Sequence, residues 1–343
     1  MKMNRYFYLI IFLLLSSISI FSQKIKREPS WVYLKKAENL KIKGEYALAI
    51  IEARKARNAF IEEKIEKFYI ETRKANPDKT EYEIKKIVEQ KKESLMTDDN
   101  YPQYHELIGD LYTLTGLLNE AEDEYKKALN GAKYFDYPQK GIELRYKLAN
   151  VYTKKGDYEL ADIVYREIVT DYFKLKEEDF WNRVRYNIKN DKTLSHVFRI
   201  YRIDGIEYLM ALYRIGVRSA LLNRKEDAIF FLANAAIVWM TYYSSLIKKY
   251  EEDFQYAGPA DFIPFLNNKN KYEYITDDYI MDEIMFFIGY VYGVDKNYKI
   301  RDSYFNLSLA FSKGTNREVE IFNRIEYFKK DPEHILGYEE FIY

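Results

Sequence analysis

The sequence predicts an all-α fold in which helical hairpins stack into a solenoid, with inserted helices and one long loop between them. Three observations predict it. A pattern of small and aromatic residues recurs five times at matching offsets. Gly (13) and Pro (7) are scarce in 343 residues, which disfavours an all-β fold built on many tight turns. Hydrophobic residues make up 48% and aromatic residues 17% of the chain, enough for a large core and too much for a disordered chain.

The first 23 residues, MKMNRYFYLIIFLLLSSISIFSQ, have a short basic start (Lys2, Arg5), an apolar run from Phe7 to Leu15 and a small-residue stretch around Ser16 to Ser22. This three-part form predicts a secretory signal peptide, cleaved within Ser17-Ile18-Ser19 or after Ser22. An uncleaved anchor is the alternative, because the apolar stretch counted on through Phe21 approaches the ~20 residues of a spanning helix. The expected location is periplasmic, or outside the cell. The chain has no cysteine, hence no lipid-acceptor residue, no disulfide, no thiol nucleophile and no Cys-ligated zinc or iron–sulfur cluster. Lys+Arg and Asp+Glu are both 54, which gives no electrostatic case for nucleic acid or an acidic membrane as main partner. Membrane contact is expected only if the leader stays attached.

The first copy of the pattern (30–58) carries Ala37, Leu40, Gly44, Tyr46, Ala49, Ala53 and Ala56. Its second helix is expected to run on through FIEEKIEKFYIETRKAN until Pro77. Thr80 and Glu83 then have capping-box spacing, and Ile84, Ile87, Val88 and Leu95 share one helical face, predicting an extra packed helix. The second copy (102–131) has Gly109, Tyr112, Gly116, Ala121, Tyr125 and Ala128. The third (142–171) has Ala149, Tyr152, Gly156, Tyr158, Ala161, Tyr165 and Ile168. In each copy, small residues 12 apart let two helices approach, and aromatic residues fill the space beside them. The glycine suits a left-handed C-cap, and Asp157 is expected to cap the next helix.

The insertion 174–207 contains EEDFWNRVRYNI, then SHVFRIYRIDGIEYLMALYRIG, expected to run into the fourth copy as one long helix. That copy (209–238) keeps Gly216, Asn223, Ala228, Leu232 and Ala235. Residues 254–277, with Gly258-Pro259, Pro264 and NNKNK, predict an aromatic, non-helical loop, with Phe262 and Phe265 packed on neighbours. The fifth copy (282–311) keeps Gly289, Tyr292, Tyr298, Phe305 and Ser308 but has Arg301 where the others have alanine. An amphipathic helix over 316–330 is expected to cap the array, followed by a tail, 331–343, that is extended or docks on it.

These positions resemble those of the tetratricopeptide repeat (TPR) family. The resemblance implies a right-handed α-solenoid over 24–330, no cofactor, and protein partners held on the concave face lined by first helices. On that face the matched positions include Glu106 and Asp110 of copy two, Tyr146, Lys147 and Asn150 of copy three, and Tyr213 and Arg214 of copy four. Some members grip a C-terminal carboxylate with Lys, Arg and Asn. Here Glu106 and Asp110 oppose an anion, so a mixed-charge groove for a folded partner or internal segment is expected. The exported, cysteine-free, Tyr/Ile/Lys/Asn-rich chain with interrupted copies is also similar to the TPR-containing collar proteins around the periplasmic flagellar motors of spirochaetes. The partners implied are other envelope or periplasmic proteins.

Signals for catalysis are sparse. His105, His196 and His334 are far apart and lack metal-ligand spacing, and no Gly-rich phosphate loop is present. The acidic pairs Glu251-Glu252 and Asp277-Asp278 read as solvated faces or helix starts. The chain is therefore expected to be a non-enzymatic scaffold without metal or cofactor. The alternative is a helical cell-wall polysaccharide enzyme or glycan-binding protein.

Overall fold

Five residues stand at the same point of the five copies, seven positions after the first small residue, and all five have positive φ: Gly44 (+77°), Gly116 (+76°), Gly156 (+81°), Asn223 (+56°) and Lys296 (+60°). In each case the next N–H closes a bond back to a first-helix carbonyl: Glu45 to Leu40, Leu117 to Tyr112, Asp157 to Tyr152, Arg224 to Ser219 and Asn297 to Tyr292, at 2.8–3.0 Å. A second bond runs from the positive-φ residue itself to the carbonyl three back, as from Gly156 to Thr153 (3.1 Å) and from Lys296 to Gly293 (2.9 Å). This double closure satisfies the last carbonyls of the first helix and turns the chain into the second.

The computed structural model describes residues 28–96, 101–135, 137, 139–266 and 280–331. The leader, residues 267–279 of the long loop and the tail beyond Asp331, with Asp277, Asp278 and His334, lie outside the described residues. Among the described residues there are fifteen α-helices and no strand: an all-α, TPR-like helical repeat. In order they are α1 (Ser30–Ile42), α2 (Tyr46–Ala75), α3 (Glu81–Leu95), α4 (Pro102–Thr115), α5 (Leu118–Asn130), α6 (Lys140–Lys155), α7 (Tyr158–Phe173), α8 (Glu178–Asn190), α9 (Ser195–Ile200), α10 (Leu209–Leu221), α11 (Lys225–Ile247), α12 (Ile263–Leu266), α13 (Met281–Val294), α14 (Tyr298–Ser312) and α15 (Glu318–Lys330). The chain divides into two units, Met1–Leu144 and Arg145–Tyr343.

In the first unit, α1 with α2 and α4 with α5 are the hairpins of copies one and two. Ala37, Ala49, Ala53 and Ala56 are fully buried, as are Ala121 and Ala128. Gly109 faces Tyr125 so closely that a Cβ on the glycine would lie 2.8 Å from the ring. α2 runs on to Ala75, and α3 packs back on it. α3 begins with the expected capping box: the Glu83 N–H donates to Thr80 Oγ1 (3.3 Å) while the Thr80 N–H donates to the Glu83 carboxylate (2.8 Å). Ile84 and Val88 on it are buried and Ile87 is partly so, while the Leu95 side chain lies outside what is described. Phe60, Tyr101 and Tyr104 fill the space beside Ala56.

In the second unit, α7 carries Ala161 and Ile168 into the interior, with Tyr165 beside them. α10 pairs with α11 and α13 with α14, and α15 packs on α13 and α14 through Ile321, Ile325 and Phe328. The first-helix glycine again receives the second-helix side chain 16 residues on: a Cβ on Gly216 would lie 2.7 Å from Leu232, and on Gly289, 2.6 Å from Phe305. The small residue is thus where the large one seats, rather than merely beside it. α11 is the one described helix long and apolar enough to cross a membrane, yet 72% of its apolar window is buried within the protein. It forms the core of this unit.

Three expectations are corrected. Residues 195–216 are not one helix: α9 ends at Ile200 and α10 starts at Leu209, after a 3₁₀ turn over Ile206–Tyr208. Gly205 breaks the run at φ +114°, where a Cβ would lie 2.8 Å from the Tyr208 ring. The loop after 254 is not wholly irregular, since Pro259–Phe262 form a 3₁₀ turn running into α12. Asp261 winds it by accepting from the Ala257 and Gly258 N–H groups (2.7 and 3.1 Å). Phe262 is buried against Trp239 and Phe254, and Phe265 packs on Phe254, as expected. Finally, the Asp157 side chain makes no capping bond. The equivalent residues in the other copies are Glu45, Leu117, Arg224 and Asn297, with no chemistry in common. The backbone does the work instead, through a carbonyl that accepts from the N–H four residues on, 3.1 Å away at Ala161.

Candidate functional site

The residues expected on the binding face divide between the two units. In the first, α4 places Glu106 and Asp110 one turn apart. Glu106 is buried and paired with Lys140 at 2.8 Å. Glu143 also reaches that lysine at 2.9 Å. Burial opposes the charge on Lys140, but the two carboxylates outweigh it and raise its pKa. Asp110 accepts from the Tyr125 hydroxyl (2.8 Å) and lies 3.2 Å from Lys41 Nζ. Burial pushes the Tyr125 hydroxyl well above its usual range, so it donates as a phenol. Each carboxylate thus has a lysine within 3.2 Å, but Glu106 shares its lysine with Glu143.

In the second unit, α6 carries Tyr146, Lys147 and Asn150. Asn150 is exposed. The Tyr146 hydroxyl donates to the Glu207 carbonyl (2.7 Å) and accepts from the Ala211 N–H (3.1 Å). It ties copy three to the entry of α10, and burial raises its pKa. Tyr213 is buried, its hydroxyl bonded to the Glu283 carboxylate and its ring 6.3 Å from Phe287. It packs between α10 and α13, with 3% of its surface exposed. Arg214 next to it is partly exposed. Asn150 is thus exposed, Tyr146, Lys147 and Arg214 are partly exposed, and Tyr213 alone of the five in this unit is buried.

Two features were not foreseen. A half-enclosed cleft of about 480 Å³ is lined by Thr193, Ser195, Pro259, Asp261, Ile300 and Tyr304, among others. Among the described residues its one carboxylate is Asp261, which accepts from the Ala257 and Gly258 N–H groups. The other is a polar cluster around the buried Asp282 on α13, with Glu283, Arg317 and Arg324 partly exposed beside it. Its members come from positions so far apart that no spacing rule links them. Among the described residues, no group of three or more His, Cys, Asp or Glu is placed to hold a metal ion. His105 is buried, 2.6 Å from Glu124, and His196 is exposed.

The class this geometry defines is a TPR-like array of helical hairpins with polar surface faces. The family model described as tetratricopeptide repeat matches residues 102–130 and 142–170, copies two and three. The chain is also similar to an uncharacterized protein of Treponema pallidum (strain Nichols), 18% identical over 230 residues, covering 66% of this chain and 60% of that one. The chain thus spans less than two thirds of the relative's length. No solved structure matches it.

Proposed function

We propose that this chain is a non-enzymatic scaffold of the cell envelope, exported through its N-terminal leader, that holds other envelope proteins on the faces of its hairpins. The observation that carries the reading is the five-fold repetition of one hairpin closure, at Gly44, Gly116, Gly156, Asn223 and Lys296. Stacked hairpins of this type offer an extended row of side chains rather than one deep pocket. TPR repeats suggest protein–protein interaction in general. A place in a periplasmic flagellar motor assembly is the narrower form of the proposal. It is supported by the interrupted copies, the leader, the lack of cysteine and the similarity to a protein of the spirochaete Treponema pallidum.

The test is cross-linking in native envelopes, affinity capture through a C-terminal tag and mass spectrometry. Recovery of envelope proteins, lost when the Asn150 face is altered, supports the scaffold. Recovery of motor components supports the narrower form. A chain found in the cytoplasm, or one that hydrolyses cell-wall glycan, overturns the proposal.

A further inference from the structure

The last described helix, α15, is held by charges as well as by apolar contacts. Asp282, in the first turn of α13, is fully buried. One of its oxygens, Oδ1, accepts from the Glu283 N–H (2.9 Å) and pairs with Arg317, just before α15, at 2.9 Å. The other, Oδ2, has no hydrogen-bond partner among the described residues. Glu283 takes the Tyr213 hydroxyl from α10, and its other oxygen lies 3.9 Å from both Arg317 and Arg324. Arg324, on α15, also pairs with Glu320 one turn back. From α14, Ser308 donates to the Asp282 carbonyl (2.7 Å). α11, which also packs on α13, is apolar from Phe230 to Met240 except for Asn234, whose amide donates to the Phe230 carbonyl.

A fully buried carboxylate with one oxygen unmet is a costly arrangement when ionised, because its single guanidinium partner does not replace the lost water. It is least costly when the group carries a proton. We propose that Asp282 is a proton-operated latch: protonated, it keeps α15 seated on α13 and α14, and ionised, it favours release of α15 and exposure of the apolar face beneath. That face is formed by Tyr290, Gly293 and Phe305, which now meet Phe328. The latch operates whatever the hairpin faces hold.

The sign follows from linkage. Burial pushes the Asp282 carboxyl up to about 7, against the pull of Arg317 and with the help of Glu283. A carboxyl raised in the seated state stabilises that state at acid pH, and the advantage fades as pH rises toward 7 and then levels off.

The test is hydrogen exchange with mass spectrometry on the full chain between pH 5 and 8, corrected for the pH dependence of intrinsic exchange. Protection over 318–330 is expected to fall as pH rises, by up to about tenfold per unit, and to flatten above 7. Asp282→Asn should hold 318–330 protected at every pH. Arg317→Met, which removes the counter-charge from a partly exposed site, should move the transition to higher pH. Protection independent of pH in the unaltered chain, or an Asp282→Asn profile with the same slope, overturns the latch. The profile of the unaltered chain decides the matter even if Asp282→Asn fails to fold.

Discussion

The Asn297 N–H donates to the Tyr292 carbonyl at 2.9 Å, and the bond closes around Lys296 at φ +60°. A lysine in this conformation brings its Cβ too near the following carbonyl, a cost of about 1–2 kcal/mol that glycine avoids. Lys296→Gly is therefore expected to raise the stability of the chain by about 1 kcal/mol, read as a higher denaturation midpoint at unchanged slope. Gly156→Ala, at the equivalent point of copy three, should lower it by about the same amount. Equal effects of opposite sign would establish that the five turns share one closure. A neutral Lys296→Gly would show that the left-handed residue of copy five carries no such cost.

Gly109 and Tyr125 make a second test. The ring lies where a side chain at 109 would go. Gly109→Val should overpack the α4–α5 hairpin and cost about 1–3 kcal/mol. Tyr125→Ala should cost about 3–5 kcal/mol by leaving a cavity. The double variant should be more stable than the sum of the two losses, because the new methyl groups occupy vacated space. Additive losses in thermal or urea unfolding would mean that the two residues do not share the contact.

Much of this architecture could be read from the chain because a repeat states the same physical requirement several times. Ala149 and Ala161 are recognisable beside Gly109 and Ala121, since both pairs must let two helices touch. Lys296 was not recognisable: nothing in a lysine side chain marks a left-handed turn, and only counting seven positions from Gly289 locates it. Arg301 breaks the small-residue pattern, and its room comes from Gly293, where a Cβ would meet the Arg301 Cδ at 2.9 Å. Gly205 was hidden inside an apolar periodicity, because the need for glycine there is set by its positive φ, by the Tyr208 ring three residues on and by the distant Leu175. The candidate site was less legible than the fold. Tyr213 occupies a first-helix position like Tyr146, but whether such a tyrosine faces out or bonds to Glu283 depends on a helix 70 residues away.

The buried pair His105 and Glu124, 2.6 Å apart, joins α4 to α5. Burial works against the charge on Glu124. The hydrogen bond and charge of His105, with Lys127 and Arg57, outweigh it and hold the carboxyl below its ordinary value. A depressed carboxyl contributes stability above the ordinary glutamate range and loses it as pH falls through the lower folded value. Glu124→Ala should cost about 3 kcal/mol near neutral pH by stranding His105. It should also flatten the acid side of a plot of melting temperature against pH. An unchanged acid slope in the variant would assign that slope to other carboxylates.

Asn150 and Ala161 sit on the two helices of one hairpin and separate surface from core. Asn150 is exposed on α6, beside Lys147. Ala161 is fully buried on α7. Asn150→Arg should leave melting within about 0.5 kcal/mol of the unaltered chain, yet reduce the envelope proteins captured with it. Ala161→Trp should cost about 1–3 kcal/mol or more by forcing α6 and α7 apart, and should reduce capture only in proportion to the protein unfolded. The comparison is made at equal folded concentration, measured by circular dichroism before capture. If Asn150→Arg captures the same proteins in the same amounts, this face of copy three is not where partners are held, and the remaining hairpin faces must be surveyed in the same way.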